Sequence, residues 1–149
     1  MKKKTLYIIC IAILVILSLT YCYIKPIYLP VTGAQSIRFA LALDRQAKSP
    51  CDIEDKADIE YFIKKFNRLP KYRTNTYFTE SHTDSVYIQY DGFLYEIDIK
   101  DTYGYDKNAL VAITKTTKDQ DNVIKIISAH FCYINYNDIY ALLTNPNAE

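Results

Sequence analysis

Three side chains that bind metal ions stand at alternate positions in one short stretch. They are Glu80, His82 and Asp84. In an extended segment, residues two apart point the same way, so these three could face one divalent cation. Such a site would suit a metal-assisted hydrolase of cell-wall material. Three ligands from one segment make an incomplete site, and a solvated polar loop is the simpler interpretation.

The pair His130 and Cys132 suggests a nucleophilic thiol and its base. That chemistry requires direct contact between the two side chains and a third group that orients the base. In the apolar run "SAHFCYI" the two side chains point in parallel, which favours a structural histidine. The chain has 3 glycines and no phosphate-binding glycine loop, serine nucleophile elbow or helical histidine pair. We therefore predict no enzyme, no catalytic residue and no cofactor.

The cysteines Cys51 and Cys132 follow the hydrophobic N-terminal segment and would lie in an exported domain. A disulfide between them is one prediction, since exported domains meet oxidising conditions. A pair of buried free thiols is the other. The sequence leaves both open.

The N-terminal segment predicts a membrane anchor. Residues 5–24 contain no charged residue, proline or glycine. As a helix they would be about 30 Å long, which matches the hydrocarbon core of a bilayer. Lys2, Lys3 and Lys4 precede the segment and place the N-terminus in the cytoplasm by the positive-inside rule. Tyr21 stands where a signal peptidase or a lipoprotein signal needs a small residue, so we expect an uncleaved anchor.

The pentapeptide at residues 29–33, LPVTG, resembles the sortase recognition sequence of Gram-positive surface proteins. A sorting signal has motif, hydrophobic segment and basic tail in that order at the C-terminus, whereas this chain has the reverse order at its N-terminus. Cleavage between Thr32 and Gly33 would release the downstream domain, and shedding is one alternative. We interpret residues 25–33 as a stiff linker, because Pro26 and Pro30 end the helix and Gly33 permits a turn.

The predicted organisation has a cytoplasmic tip at 1–4, the anchor at 5–24, the linker at 25–33, an exported domain at 34–144 and a polar tail at 145–149. All 17 acidic residues follow the linker, and 4 of the 18 basic residues precede Gly33, so the exported part is slightly acidic. This charge and the topology disfavour nucleic-acid binding, and we predict no nucleic-acid partner.

Hydrophobic periodicity predicts an α+β domain. A strand begins near Ser36, and "DKADIEYFIKKFNRLP" has the i, i+3, i+4, i+7 stripe of a core-facing helix. In "SVYIQYDGFLYEIDIK", Asp91-Gly92 predicts a two-residue hairpin turn that pairs Tyr90 with Phe93. Strands over 109–116 and 123–134 follow, and then a short helix over 138–143 capped by Asn137. We expect an antiparallel sheet of about five strands with one main covering helix.

The helix sequence "DKADIEYFIKKFNRL" and the hairpin "VYIQYDGFLYEIDI" resemble, with the basic start and single anchor, small Gram-positive lipoproteins and single-pass membrane proteins. That class has no agreed activity, so the resemblance implies location and architecture. We predict a single-pass membrane protein whose extracellular domain binds an envelope protein or ligand as a sensor, immunity or accessory module. The candidate binding residues are Tyr87 and Leu94 on the outer face of the hairpin, and Tyr72 and Tyr77 in the loop after the helix.

Overall fold

The chain adopts an α+β fold in which one antiparallel sheet is covered by helices on one face. The computed structural model describes residues 3–24, 27–41, 52–76, 84–100, 107–118 and 123–146. Its elements, in chain order, are α1 (Lys3–Ile24), β1 (Ala34–Ala40), α2 (Lys56–Arg68), β2 (Tyr72–Arg73), β3 (Asp84–Tyr90), β4 (Phe93–Lys100), β5 (Asn108–Lys118), β6 (Ile124–Asn135) and α3 (Tyr136–Thr144).

Helix α1 covers the predicted anchor. The stretch Lys4–Tyr21 is long and apolar enough to cross a membrane. None of it is buried against the rest of the protein. An apolar helix that leaves its side chains exposed needs an apolar environment outside the protein.

The sheet has six strands in the order β1-β3-β4-β5-β6-β2, so β1 and β2 form opposite edges. All strand pairs are antiparallel. The β3–β4 hairpin has the predicted register, with Tyr90 opposite Phe93 and Val86 opposite Ile97. Gly92 in its turn has a φ of 74°, a conformation that favours glycine. The sixth strand is β2, whose two residues we had predicted to belong to a loop.

Helix α2 forms the main cover of the sheet, as the sequence predicts. The Asp55 carboxylate accepts hydrogen bonds from the backbone N–H groups of Ala57 and Asp58 and caps the helix. The helix buries a stripe of four side chains against the sheet: Ile59, Phe62, Ile63 and Phe66. Phe62 meets Phe39 of β1 edge to face, with 5.7 Å between ring centroids. The stripe thus joins the helix to the strand at one edge of the sheet.

Helix α3 begins two residues earlier than predicted. Its N-cap is Asn135, whose side-chain oxygen accepts from the N–H groups of Asn137 and Asp138. The predicted cap, Asn137, is therefore wrong: it is already inside the first turn because β6 runs directly into the helix. Ile139, Leu142 and Leu143 are buried, so α3 is a second covering helix.

Residues 27–31 of the predicted linker pack onto the domain. Ile27 and Leu29 are each 3% exposed and belong to the hydrophobic core. The Asn67 side chain makes two hydrogen bonds with the backbone of Leu29. Its Oδ1 accepts from the Leu29 N–H (2.9 Å), and its Nδ2 donates to the Leu29 carbonyl (2.8 Å). The Tyr90 hydroxyl donates to the Pro30 carbonyl. Helix α1 is therefore joined to the domain by a very short connection.

Several tyrosines of the hairpin have structural roles. Tyr90 stacks on Phe93 with 4.8 Å between ring centroids and meets Tyr95 edge to face. The Lys115 ammonium lies 4.0 Å from the centroid of the Phe93 ring. This aromatic cluster closes the covered face of the sheet at the hairpin turn and supports residues 27–31 through Tyr90.

Candidate functional site

Only one of the three predicted metal ligands lies within the described residues. Asp84 opens β3 opposite Ile99, so its side chain points to the helix-covered side of the sheet, and it is 3% exposed. Glu80 and His82 lie outside the described residues. In the part of the chain that the structure describes, no group of three His, Cys, Asp or Glu side chains could hold a metal ion. The metal site stays a prediction.

The environment of Cys132 and His130 favours structural roles. Both face the covered side of the sheet, opposite Val111 and Ile113. Cys132 is a fully buried free thiol, and burial raises its pKa to about 11, so it holds almost no reactive thiolate at neutral pH. The Nδ1 atom of His130 lies 3.0 Å from Nη2 of Arg73. Burial, and then the Arg73 charge, lower the pKa of His130, so the ring is a neutral acceptor for the guanidinium.

The disulfide prediction is not resolved by Cys132 alone. Its thiol is free in the structure, whereas Cys51 lies outside the described residues. A bridge between them stays a prediction for the oxidised protein.

The opposite side of the sheet, which we call the outward face, collects most of the predicted binding residues. Strand register places Tyr87, Leu94 and Tyr72 on this face. Tyr77 lies outside the described residues. The face consists of cross-strand rows that alternate with the buried rows: Gln89, Leu94, Thr116 and Ile126; Tyr87, Glu96, Thr114 and Ala129; Ser85, Asp98, Ala112 and Phe131; Lys100, Leu110, Tyr133 and Tyr72.

Two cross-strand polar pairs occupy the centre of the outward face. The Ser85 hydroxyl donates to Oδ1 of Asp98 at 2.6 Å, and Tyr87 lies directly opposite Glu96 in the next row. Both carboxyl groups are half-buried. Burial raises the pKa of Asp98 above its usual range, and the Ser85 hydrogen bond opposes the rise.

The pKa of Glu96 is also raised above its usual range. Burial is the larger cause of its raised pKa, the Asp98 charge adds to it, and the neighbouring Tyr87 hydroxyl opposes it. The pair can therefore take up a proton more readily than exposed carboxylates do. It supplies acceptors, and on protonation a donor, at the middle of a broad surface.

Sequence reasoning missed an exposed apolar strip at the start of β6, which we call the isoleucine strip (Ile124, Ile126 and Ile127). These side chains are 65%, 69% and 53% exposed. A register shift between Lys115 and Thr116 of β5 lies beside the strip, and Ile126 faces outward opposite Thr116. Apolar residues exposed together outside a membrane segment mark interaction surfaces. The signal was available: the apolar residues at 123, 124, 126 and 127 stand at neighbouring and not at alternate positions, so one covered face of a strand could not bury all of them.

Comparison with protein-family models, with curated proteins and with solved structures found no match. The resemblance to small Gram-positive membrane proteins stays a prediction. Function must be argued from the chain itself.

Proposed function

We propose that this chain is a single-pass, membrane-anchored binding module. In this proposal α1 spans the cell membrane with its N-terminus in the cytoplasm, and the α+β domain lies outside and binds a second envelope protein through the outward face. The basic residues Lys2, Lys3 and Lys4 before the apolar segment support this orientation. Protease added to intact cells should then remove the domain and leave the anchor.

The observation that carries the proposal is that the outward face combines polar pairs at its centre with an exposed apolar strip at its end. Its centre has the hydrogen-bonded pair Ser85–Asp98 and the cross-strand pair Tyr87–Glu96, and its end has the exposed isoleucine strip. Stable protein interfaces combine an apolar contact region with polar groups that fix orientation. Aromatic side chains such as Tyr87 contribute strongly at such contacts.

The experiment is site-specific photo-crosslinking in living cells of the native host. A photoreactive amino acid replaces Leu94 or Ile126 on the outward face, and Ala57 on the exposed first turn of α2 serves as control. We expect one protein to be crosslinked from both outward positions and not from position 57. Equal crosslinking from all three positions, or crosslinks to lipid alone, would reject a protein-binding outward face.

A pair of substitutions makes the test quantitative. Combining Tyr87→Ser with Leu94→Ser should lower crosslinking from position 126 severalfold, because two contacts of the interface are lost. Tyr61→Ser on α2 is the matched control, since Tyr61 is also half-buried but lies on the covering helix. If the control lowers the yield as much as the double variant, the loss reflects stability and the outward face is not the binding surface.

The two alternatives have less support. For a metal-assisted hydrolase, Asp84 would have to leave the covered side of the sheet, where it is 3% exposed. Stoichiometric zinc in the gently purified protein would revive that idea. For shedding at Thr32-Gly33, a protease would have to extract Leu29, which is buried and held by Asn67.

A further inference from the structure

A cleft lies where the C-terminal end of α2 meets the segment that follows the anchor. Its volume is about 910 Å³. The last turns of α1 line one side and the domain lines the other: Leu19, Thr20, Ile27, Tyr28, Arg68, Leu69, Pro70, Lys71, Tyr72 and Arg73. Among these described lining residues the charged groups are three cations, and none is a carboxylate. The cleft is thus an electropositive surface on a domain that is slightly acidic as a whole.

Lys71 is held rigidly in this cleft. Its ammonium donates to the carbonyl oxygens of Phe66 (2.5 Å) and Leu69 (3.1 Å), and so caps the negative end of α2. The same ammonium lies 4.5 Å from the centroid of the Phe66 ring and 5.3 Å from that of Tyr28. Burial lowers the pKa of Lys71 to about 8, so the group remains mostly charged at neutral pH. Carbonyls and ring faces position this charge without neutralising it.

Arg68, Tyr28 and Tyr72 present polar groups to the solvent side of the cleft. Arg68 is exposed, and the ion pairs within the described residues do not include it. Tyr28 and Tyr72 are 47% and 65% exposed, which is unusual for such large rings. Exposed tyrosine rings beside basic side chains are the composition found at the headgroup layer of membranes.

The connection to α1 determines where this surface can lie. The anchor helix ends at Ile24, and Ile27 is already buried in the domain. Three residue steps span at most about 10 Å. If α1 crosses the bilayer, the domain beside Ile27 must lie at the depth of the headgroups, which extend several ångströms beyond the hydrocarbon core.

We propose that Tyr28, Arg68, Lys71, Tyr72 and Arg73 form a docking surface for anionic lipid headgroups of the bilayer that holds α1. The proposal rests on the membrane anchorage proposed above. Charge complementarity and the short connection both select this occupant, since the surface cannot leave the membrane by more than the length of that connection. The domain is then held in one orientation on the membrane: the edge of the outward face at Tyr72 lies against the bilayer, and the rows that contain Ser85, Tyr87 and Ile126 remain free for the partner.

The test uses the full chain in lipid vesicles with one tryptophan as the probe. The chain has no tryptophan, so Tyr72→Trp adds a single reporter at the cleft, and Gln35→Trp adds a control reporter on β1. The two edge strands are five strand spacings apart, about 24 Å. Lipids with bromine close to the headgroup quench a tryptophan at the membrane surface. Vesicles contain phosphatidylcholine alone, or with roughly one third phosphatidylglycerol.

We expect the reporter of the Tyr72→Trp chain to be quenched more strongly with the anionic lipid than without it, while the reporter of the Gln35→Trp chain stays unquenched. Raising the salt from about 0.05 to 0.5 M should remove the difference. Arg68→Gln should lower the ratio of docked to undocked domain about fivefold, which is the effect of one cation near an anionic surface. Arg38→Gln, at the opposite edge of the sheet, should leave the ratio unchanged.

Three outcomes would overturn the proposal. They are equal quenching of the cleft reporter in both vesicles, equal effects of Arg68→Gln and Arg38→Gln, and full competition by inorganic phosphate at constant low ionic strength, which would indicate a free-anion site. Resistance of the chain to alkaline carbonate extraction is measured on the same vesicles. A chain that resists extraction but shows no lipid-dependent quenching retains its anchor and lacks the docking surface. A chain that is extracted has no anchor, and the proposed function fails with it.

Discussion

The two faces of the sheet are made by the same strands yet have opposite chemistry. On the covered face, Ile88, Ile97 and Ile113 are at most 1% exposed and pack beneath the helices. On the outward face, one residue along each strand, Tyr87, Glu96 and Thr114 form a half-exposed polar row. Alternation along a strand lets one face supply the stability while the other remains available for binding.

We expect the largest difference between the two faces from a matched pair of isoleucine truncations in neighbouring strands. Ile113→Ala removes a side chain that is fully buried in β5 and should cost about 2–5 kcal/mol of unfolding free energy. Ile126→Ala removes one that is 69% exposed in β6 and should cost less than about 1 kcal/mol. Urea unfolding of the detergent-solubilised chain, followed by tyrosine fluorescence, measures both.

If the two truncations destabilised the chain equally, the comparison between the faces would fail, since Ile126 would then be packed like a core residue. If Ile126→Ala leaves stability intact and lowers partner crosslinking, the isoleucine strip is a contact surface.

Local patterns explain why much of the covered face was predictable. The stripe of Ile59, Phe62 and Phe66 and the Asp91-Gly92 turn each need only a few neighbouring residues to be recognised. The turn and the apolar alternation demand one register, and the structure has it. The α+β class followed from those elements.

What could not be predicted depends on contacts between distant residues. Leu29 belongs to the domain because Asn67, 38 residues away, binds its backbone, and nothing near Leu29 in the chain signals this. The two-residue strand β2 exists because Tyr72 and Arg73 meet the edge of β6. The cleft between α1 and α2 combines both effects: its three basic residues lie close together at 68–73, but only the fold brings Tyr28 and the end of α1 beside them.

The second test measures how much the cap of α3 contributes to the stability of the covered side of the sheet. Asn135→Ala removes the cap of α3 and should cost about 1 kcal/mol of unfolding free energy, because two backbone N–H groups lose their acceptor. Asn137→Ala is the matched control; its side chain is exposed in the first turn, and we expect a change within about 0.5 kcal/mol. If urea unfolding showed a larger loss of stability for Asn137→Ala than for Asn135→Ala, Asn137 would be the cap, as the sequence predicts.

The smallest expected effect is a pH dependence that originates on the outward face. Asp98 and Glu96 have raised pKa values in the folded state, so over the range between their usual and raised values the folded chain binds more protons than the unfolded chain. Their contribution to the unfolding free energy therefore increases as the pH falls through the raised pKa values, and is lost as the pH rises through them. Glu96→Gln should remove part of this slope and stabilise the chain slightly at neutral pH, because a charge no longer has to be desolvated beside Asp98.

Urea midpoints of the unchanged chain and of Glu96→Gln, measured from neutral to mildly acidic pH, give the difference in slope. Glu60→Gln on α2 is the control, since Glu60 pairs with Lys64 through a contact of 3.4 Å on the helix. A slope that Glu96→Gln leaves unchanged would show that the outward carboxyl groups titrate as exposed groups do. The outward face would then differ from the covered face in exposure alone. A reduced slope would show that burial disfavours the charge of two carboxyl groups at the centre of the outward face, a desolvation that a bound partner could offset by donating hydrogen bonds to them.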